Sequence, residues 1–194
     1  MINRIEDLVF TEMKRNLDAR FEYHSIEHTR MVMEAAETLG TEEEIRGEEL
    51  KLLRLAALFH DTGFLHTYDE HEEFSCDYAS KILAGHGFST NKIDQICHMI
   101  RGTNIRIRPG SHLQAILRDA DLLYLGTSNF PEFSLRLQRE LISFGKLAPT
   151  DDWISIEINF LQKQKFLTLS GRRRTEAGVV ENLQILSRER RLAG

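Results

Sequence analysis

At 194 residues, 41% hydrophobic and 28% charged, the chain is long enough for one folded domain with a substantial core. A net charge of −5 argues against a general binder of nucleic-acid phosphates, and no apolar run reaches the roughly 18–20 residues of a membrane helix. The two cysteines, Cys76 and Cys97, form neither a CxxC pair nor a disulfide framework. The N-terminal stretch MINRIEDLVFTEMKRN is charged throughout and lacks the apolar core of a signal peptide. The expectation is a cytoplasmic protein with neither nucleic acid nor membrane as a partner.

Long amphipathic stretches, three prolines and few strand-like alternations predict an all-α fold. Ile5, Leu8, Val9, Met13 and Leu17 recur at helical spacing, which predicts a first helix over 2–20. Phe21–Ser25 follows as a connection, with Ser25 as N-cap of a second helix that runs to about Leu39 and stops at Gly40. Thr41, with Glu44 three residues on, reads as the start of a third helix that ends at His60-Asp61. Further helices are expected over about 69–84, 92–101 (capped by Ser89) and from Ser111 to Gly126. Three more follow over about 132–144, 151–169 and 175–191. Gly171–Arg174 (GRRR) reads as a solvated turn between the last two. The apolar stretch around Trp153, Ile156, Ile158, Phe160 and Leu161 reads as core, with a homodimer or partner surface as the alternative.

All eight histidines lie between His24 and His112, so candidate chemistry concentrates in the first two-thirds of the chain. In LAALFHDTG an apolar helical run ends in His60 and Asp61, two adjacent residues that can both turn toward a point beyond the helix end. A neutral imidazole nitrogen and a carboxylate there suit a divalent metal. The alternative is a buried His bonded to its neighbours and an Asp in solvent. His28 in the first turn of the second helix and Asp121 inside an apolar helix complete a mixed nitrogen and oxygen set. Such a set suits Mn, Fe, Co, Ni, Zn or Mg better than a thiolate-preferring site. A metal there would leave open positions for water and substrate and would acidify a bound water. Arg101, Arg106, Arg108 and Arg118 are nearby in sequence, and an Arg fork suits phosphate; Arg101 and Arg118 are the expected phosphate contacts, with surface positions as the alternative.

The order His … His-Asp … Asp, carried as YHSIEHT, LFHDTG and DADLLYLG, resembles the HD superfamily of metal-dependent phosphohydrolases over about Phe21–Gly126. The resemblance implies one HD domain over 1–194: a bundle of about eight or nine helices around a buried metal, with a motif-bearing core over about 21–126 and helices over 130–194 packed on it. It implies His28, His60, Asp61 and Asp121 as metal ligands, with Asp121 preferred over Asp119 because Leu125-Gly126 follow it in the family's register. Asp119 is then either a support for the ligands or a surface acid. The YHxxxH pattern implies that His24 protonates a leaving group. HEEFS, with His71-Glu72 and Ser75, resembles a subgroup of small stand-alone HD proteins in which the His-Glu pair faces the pocket, so His71 is a second candidate acid. Some members hold two metals with the equivalent of Asp61 between them. His86 and His98 are the candidates for a second ion here, although Ile100-Arg101 occupies the places of a family His-His pair. Where some HD nucleotidases carry a Glu three positions after the metal Asp, this chain has Phe64.

The function so implied is a metal-dependent phosphohydrolase, in which Asp61 helps hold the attacking water and His24 or His71 serves the leaving group. The substrate class is a nucleotide or another small phosphate ester. The rivals are a regulatory HD module that keeps its metal without catalysis, and a diiron HD-type oxygenase.

Overall fold

The computed structural model describes residues 2–193, which form nine α-helices and no strand. In chain order these are α1 (Ile2–Asn16), α2 (Ile26–Glu42), α3 (Gly47–Phe59), α4 (His71–Gly85), α5 (Thr90–Arg101), α6 (His112–Asp121), α7 (Phe130–Ser143), α8 (Trp153–Lys163) and α9 (Leu169–Ala193). Two short 3-10 turns, Thr62–Leu65 and Leu123–Gly126, follow α3 and α6. The all-α expectation holds.

The helices share two apolar cores. The larger joins one face each of α1 to α6: Ile5 and Val9, Leu39, Leu53 and Phe59, Leu83, Ile96 and Leu117 all lie within it. These residues recur at the helical spacing seen in the sequence, and their burial drives the bundle together. The smaller core joins Tyr23 and the Leu123–Gly126 turn to α7, α8 and α9 through Leu125, Phe130, Phe133, Ile158, Leu161 and Leu186. Asn182 of α9 donates its side-chain amide to the carbonyls of Leu125 (2.9 Å) and Thr127 (3.2 Å), which fixes the backbone just after α6.

Several boundaries differ from the sequence expectation, each for a packing reason. Helix α2 passes through Gly40 to Glu42. Gly40 is there because α3 crosses closely: a Cβ would lie 2.8 Å from Leu50 and 2.9 Å from Leu53. The break falls instead at Glu44 (φ 64°) and Gly47 (φ 60°), so Thr41 starts no helix. The helix from Ser111 ends at Asp121 rather than Gly126, the remainder tightening into the 3-10 turn. Helix α8 stops at Lys163, and Gly171–Arg174 lies inside α9 rather than in a turn. The missed signal is Asp119. This acid is fully buried and accepts from the backbone N–H of Leu167 (2.9 Å), the N–H of Thr168 (2.7 Å) and the Thr168 hydroxyl (2.7 Å). It thereby holds the residues that lead into α9, whose N-cap is Thr168, accepting from the Gly171 N–H at 2.9 Å; it is not a surface acid. No described helix is long and apolar enough to cross a membrane.

Candidate metal centre

Three elements deliver four donor side chains to one point. Ser25 caps α2 by accepting from the His28 N–H, as its sequence position predicts, which places His28 in the first turn with its ring inward. Helix α3 ends at Phe59, leaving His60 and Asp61 at the turn beyond it. That turn is pinned from α4: the Ser75 hydroxyl donates to the His60 carbonyl and accepts from the Gly63 N–H, both at 2.7 Å. Gly63 is required by this contact, since a Cβ there would sit 1.9 Å from the His71 carbonyl oxygen. Asp121 arrives as the last residue of α6.

His28 Nε2 lies 3.4 Å from His60 Nε2 and 3.1 Å from Asp121 Oδ1. Asp61 Oδ2 stands 3.3 Å from His28 Nε2 and 3.1 Å from His60 Nε2. His60 Nε2 is 3.6 Å from Asp121 Oδ1. Separations of this size are what donors about 2.0–2.2 Å from a shared ion would show. Two details favour an ion over a hydrogen-bonded cluster. His60 Nδ1–H donates to the Ala57 carbonyl at 2.7 Å, which leaves Nε2 a bare lone pair directed at the other donors. Asp61 Oδ2 is buried and has no hydrogen-bond partner, the single such side-chain atom among the described residues. A buried carboxylate oxygen without a donor costs free energy that a cation would offset. The donor set therefore fits a divalent metal.

Protonation tells the same story. Burial pulls the His28 and His60 imidazoles down, but the Asp61 and Asp121 carboxylates more than offset it and hold both above their ordinary range. Burial raises Asp61 and Asp121 in turn, and the two imidazoles more than reverse that, holding both below the usual carboxylate range. Protons here occupy the place that a metal would take, so the two compete.

The cluster opens into a chamber of about 490 Å³, onto which Asp61, Asp121, His24, His71 and Glu72 all face. His71 begins α4, with Nε2 3.6 Å from Asp61 Oδ1. Burial lowers its pKa in spite of the Asp61 carboxylate. Phe64 lies between the two outer histidines, with ring centroids 4.2 Å from His24 and 4.0 Å from His71. Phe64 is thus a hydrophobic wedge between the two imidazoles.

The residue that sequence reading missed is Glu140, fully buried on α7. Its Oε2 accepts from the backbone N–H of Tyr23 (2.9 Å) and of His24 (3.1 Å), and its Oε1 accepts from His24 Nδ1–H and from the Tyr68 hydroxyl (3.4 Å). His24 is thereby left with Nε2 as its free ring nitrogen. An acid 116 positions away, inside an ordinary amphipathic helix, gives no local signal.

Three expectations need correction. His86 caps the far end of α4, roughly 20 Å along the helix from His71, and its Nδ1–H donates to the Ile82 carbonyl. His98 is exposed on α5. Neither approaches the donors, and among the described residues only His28, His60 and Asp121 gather as a group of three or more, with Asp61 beside them. Arg101 forks onto Glu73 on the surface at 2.7 and 2.8 Å. Arg118 is buried and donates to the carbonyls of Gly102, Asn104 and Ile107, where it holds the loop after α5. Both guanidinium groups are engaged in structure. Arg106, from that same loop, does line the chamber.

The HD domain family model matches residues 25–125. No curated protein matches the sequence. A predicted HD superfamily hydrolase from an uncultured Thermotogales bacterium, solved at 1.45 Å, shares the fold: TM-score 0.63 at 23% identity, over 97% of this chain and 92% of that one.

Proposed function

Because the chain belongs to the HD domain family, we propose that it is a metal-dependent phosphohydrolase that cleaves a phosphoester of a nucleotide or another small molecule. One observation carries this reading: four clustered donors, three of them buried and Asp61 Oδ2 unpartnered, sit at the wall of a chamber large enough for a small substrate. His28, His60, Asp61 and Asp121 would hold the ion. When bound, a divalent cation supplies a water acidified toward neutrality and a Lewis acid for the phosphoryl oxygen.

The protein's own groups supply the rest. His60 is kept in the tautomer that exposes Nε2 by its bond to Ala57. Glu140 fixes His24 through Nδ1 and directs Nε2 to the chamber, where the imidazolium form, protonated from solvent before the chemical step, would give its Nε2 proton to the departing alkoxide oxygen. Phe64, stacked on the His71 ring and in tilted contact with His24, holds both imidazoles at the chamber wall. Arg106, whose guanidinium has no side-chain partner among the described residues, is the cation available to phosphate oxygens. The name hydrolase, given to the Thermotogales protein that shares the fold, accords with this reading.

The diiron rival needs a second set of ligands, and the positions of His86 and His98 give it no support. The test is a panel of phosphomonoesters, cyclic nucleotides and nucleoside triphosphates assayed with Mn, Co, Ni, Fe, Zn and Mg. Phosphate release that disappears in the His60→Ala, Asp61→Ala double variant is expected. Bound metal with no turnover on any ester would instead favour the regulatory reading.

A further inference from the structure

The chemistry proposed above uses one part of the chamber wall. One side of the chamber, contributed by the Leu123–Gly126 turn, α7 and α8, is apolar, built from Leu125, Phe130, Leu137, Trp153, Phe160 and Leu161. Set into it is one carboxyl group, Glu157 of α8, which is 7% exposed. Its Oε2 accepts from the Ser134 hydroxyl at 2.5 Å, and Ser134 in turn accepts from the Trp153 indole N–H at 3.1 Å. Oε1 has no hydrogen-bond partner among the described residues, yet it is not sealed away, since Asp61 Oδ2 is the single fully buried orphan. Glu157 lines the chamber, so Oε1 is the carboxylate oxygen left available to a ligand there. Burial pushes the carboxyl up to about 7, against the Ser134 bond that lowers it and with the nearby Glu189 charge adding to the rise. A buried carboxyl on an apolar wall, with one oxygen bonded to Ser134 and the other without a partner, is arranged to meet a donor from outside the protein.

We propose that this chamber takes the organic part of the substrate as an apolar group, and that Glu157 Oε1 accepts a hydrogen bond from an amine or amino substituent on it. The apolar wall offers no partners to a hydroxyl-rich group, so such a group would leave its hydroxyls unpaired there. The assignment rests on the phosphohydrolase reading for which end of the ligand meets the metal, but occupancy of the chamber can be measured without turnover.

Trp153 is the single tryptophan and lines the chamber, so its fluorescence reports binding directly. The full-length protein is titrated with 4-phenylbutylamine and with 4-phenylbutanol, neither of which carries phosphate. The amine is expected to bind about 10- to 100-fold more tightly than the alcohol, the range of a charge-assisted hydrogen bond. In Glu157→Gln, which preserves shape and the bond from Ser134, the two should bind alike. Ser134→Ala keeps the carboxyl and should keep the preference. An amine preference that survives in Glu157→Gln, or no response of Trp153 to either ligand, overturns the proposal. Binding with this selectivity in a protein that hydrolyses no phosphoester supports the chamber assignment and overturns the phosphohydrolase reading instead.

Discussion

Between Ser25 and Leu125 the site is made by short motifs that fold locally, whereas the helices after Asn129 reach it through single buried acids. His28 depends on a cap three residues away, and His60 and Asp61 depend on a helix end braced by Ser75. Glu140 and Glu157, by contrast, are isolated carboxyls on α7 and α8 that act across more than a hundred residues of chain or across a cavity. In the first region the donor atoms converge on one point that a cation would satisfy; in the second each acid tunes one partner. Substitutions in the two regions should therefore fail in different ways: loss of the metal in one, altered proton handling and selectivity in the other.

The largest effect is expected in the donor set. Added Mn or Ni at a hundredfold excess over its Kd should stabilise the wild type by about 2.7 kcal/mol, a thermal shift of roughly 5–10 °C for a chain of this size. His60→Ala should abolish both the shift and hydrolysis. An equal shift in that variant would remove the boundary between the two regions.

Glu140→Gln comes next. It should lower kcat by about 10- to 100-fold while leaving metal content unchanged, because His24 keeps its place but loses the carboxylate that sets its tautomer. Glu140→Ala should also destabilise by about 2–4 kcal/mol, since it strands the buried N–H of Tyr23 and that of His24. Metal loss in Glu140→Gln would show that α7 belongs to the ligand-holding region after all.

The third effect is a pH dependence. Glu157 has an ordinary value of 4.5 and is raised to about 7 in the folded chain. Between those values the folded state binds more protons than the unfolded state, so stability falls as pH rises through that window. Glu157→Gln should match the wild type near pH 4 and exceed it by about 1–3 kcal/mol at pH 8, read from urea unfolding at both pH values. A constant difference across pH would place Glu157 outside the apolar wall. The smallest effect belongs to Arg101→Ala. Its surface fork with Glu73 should be worth less than about 1 kcal/mol, and hydrolysis should not change.

The sequence made the first region legible because its signals are local. Helical spacing marked the core faces, Ser25 and Ser111 marked true N-caps, and the three motifs named the donors that the fold brings to one point. Errors came where a residue answers to a distant partner. Gly40 looks like a helix stop but accommodates the crossing of α3, and Asp119 looks like a spare acid but holds Leu167 and Thr168 at the entry to α9. Arg118 looks like a phosphate ligand but holds three backbone carbonyls. Glu140 and Glu157 carry no motif, since a buried acid on an amphipathic helix is recognised only when the facing helix is in place.

The central claim is that four side chains from α2, the end of α3 and the end of α6 hold one ion. Crystals soaked in Mn and measured for anomalous scattering test it directly. The account predicts one peak about 2.0–2.3 Å from His28 Nε2, His60 Nε2, an Asp61 oxygen and Asp121 Oδ1. No peak at that point, or a peak ligated by His86 or His98, would contradict it.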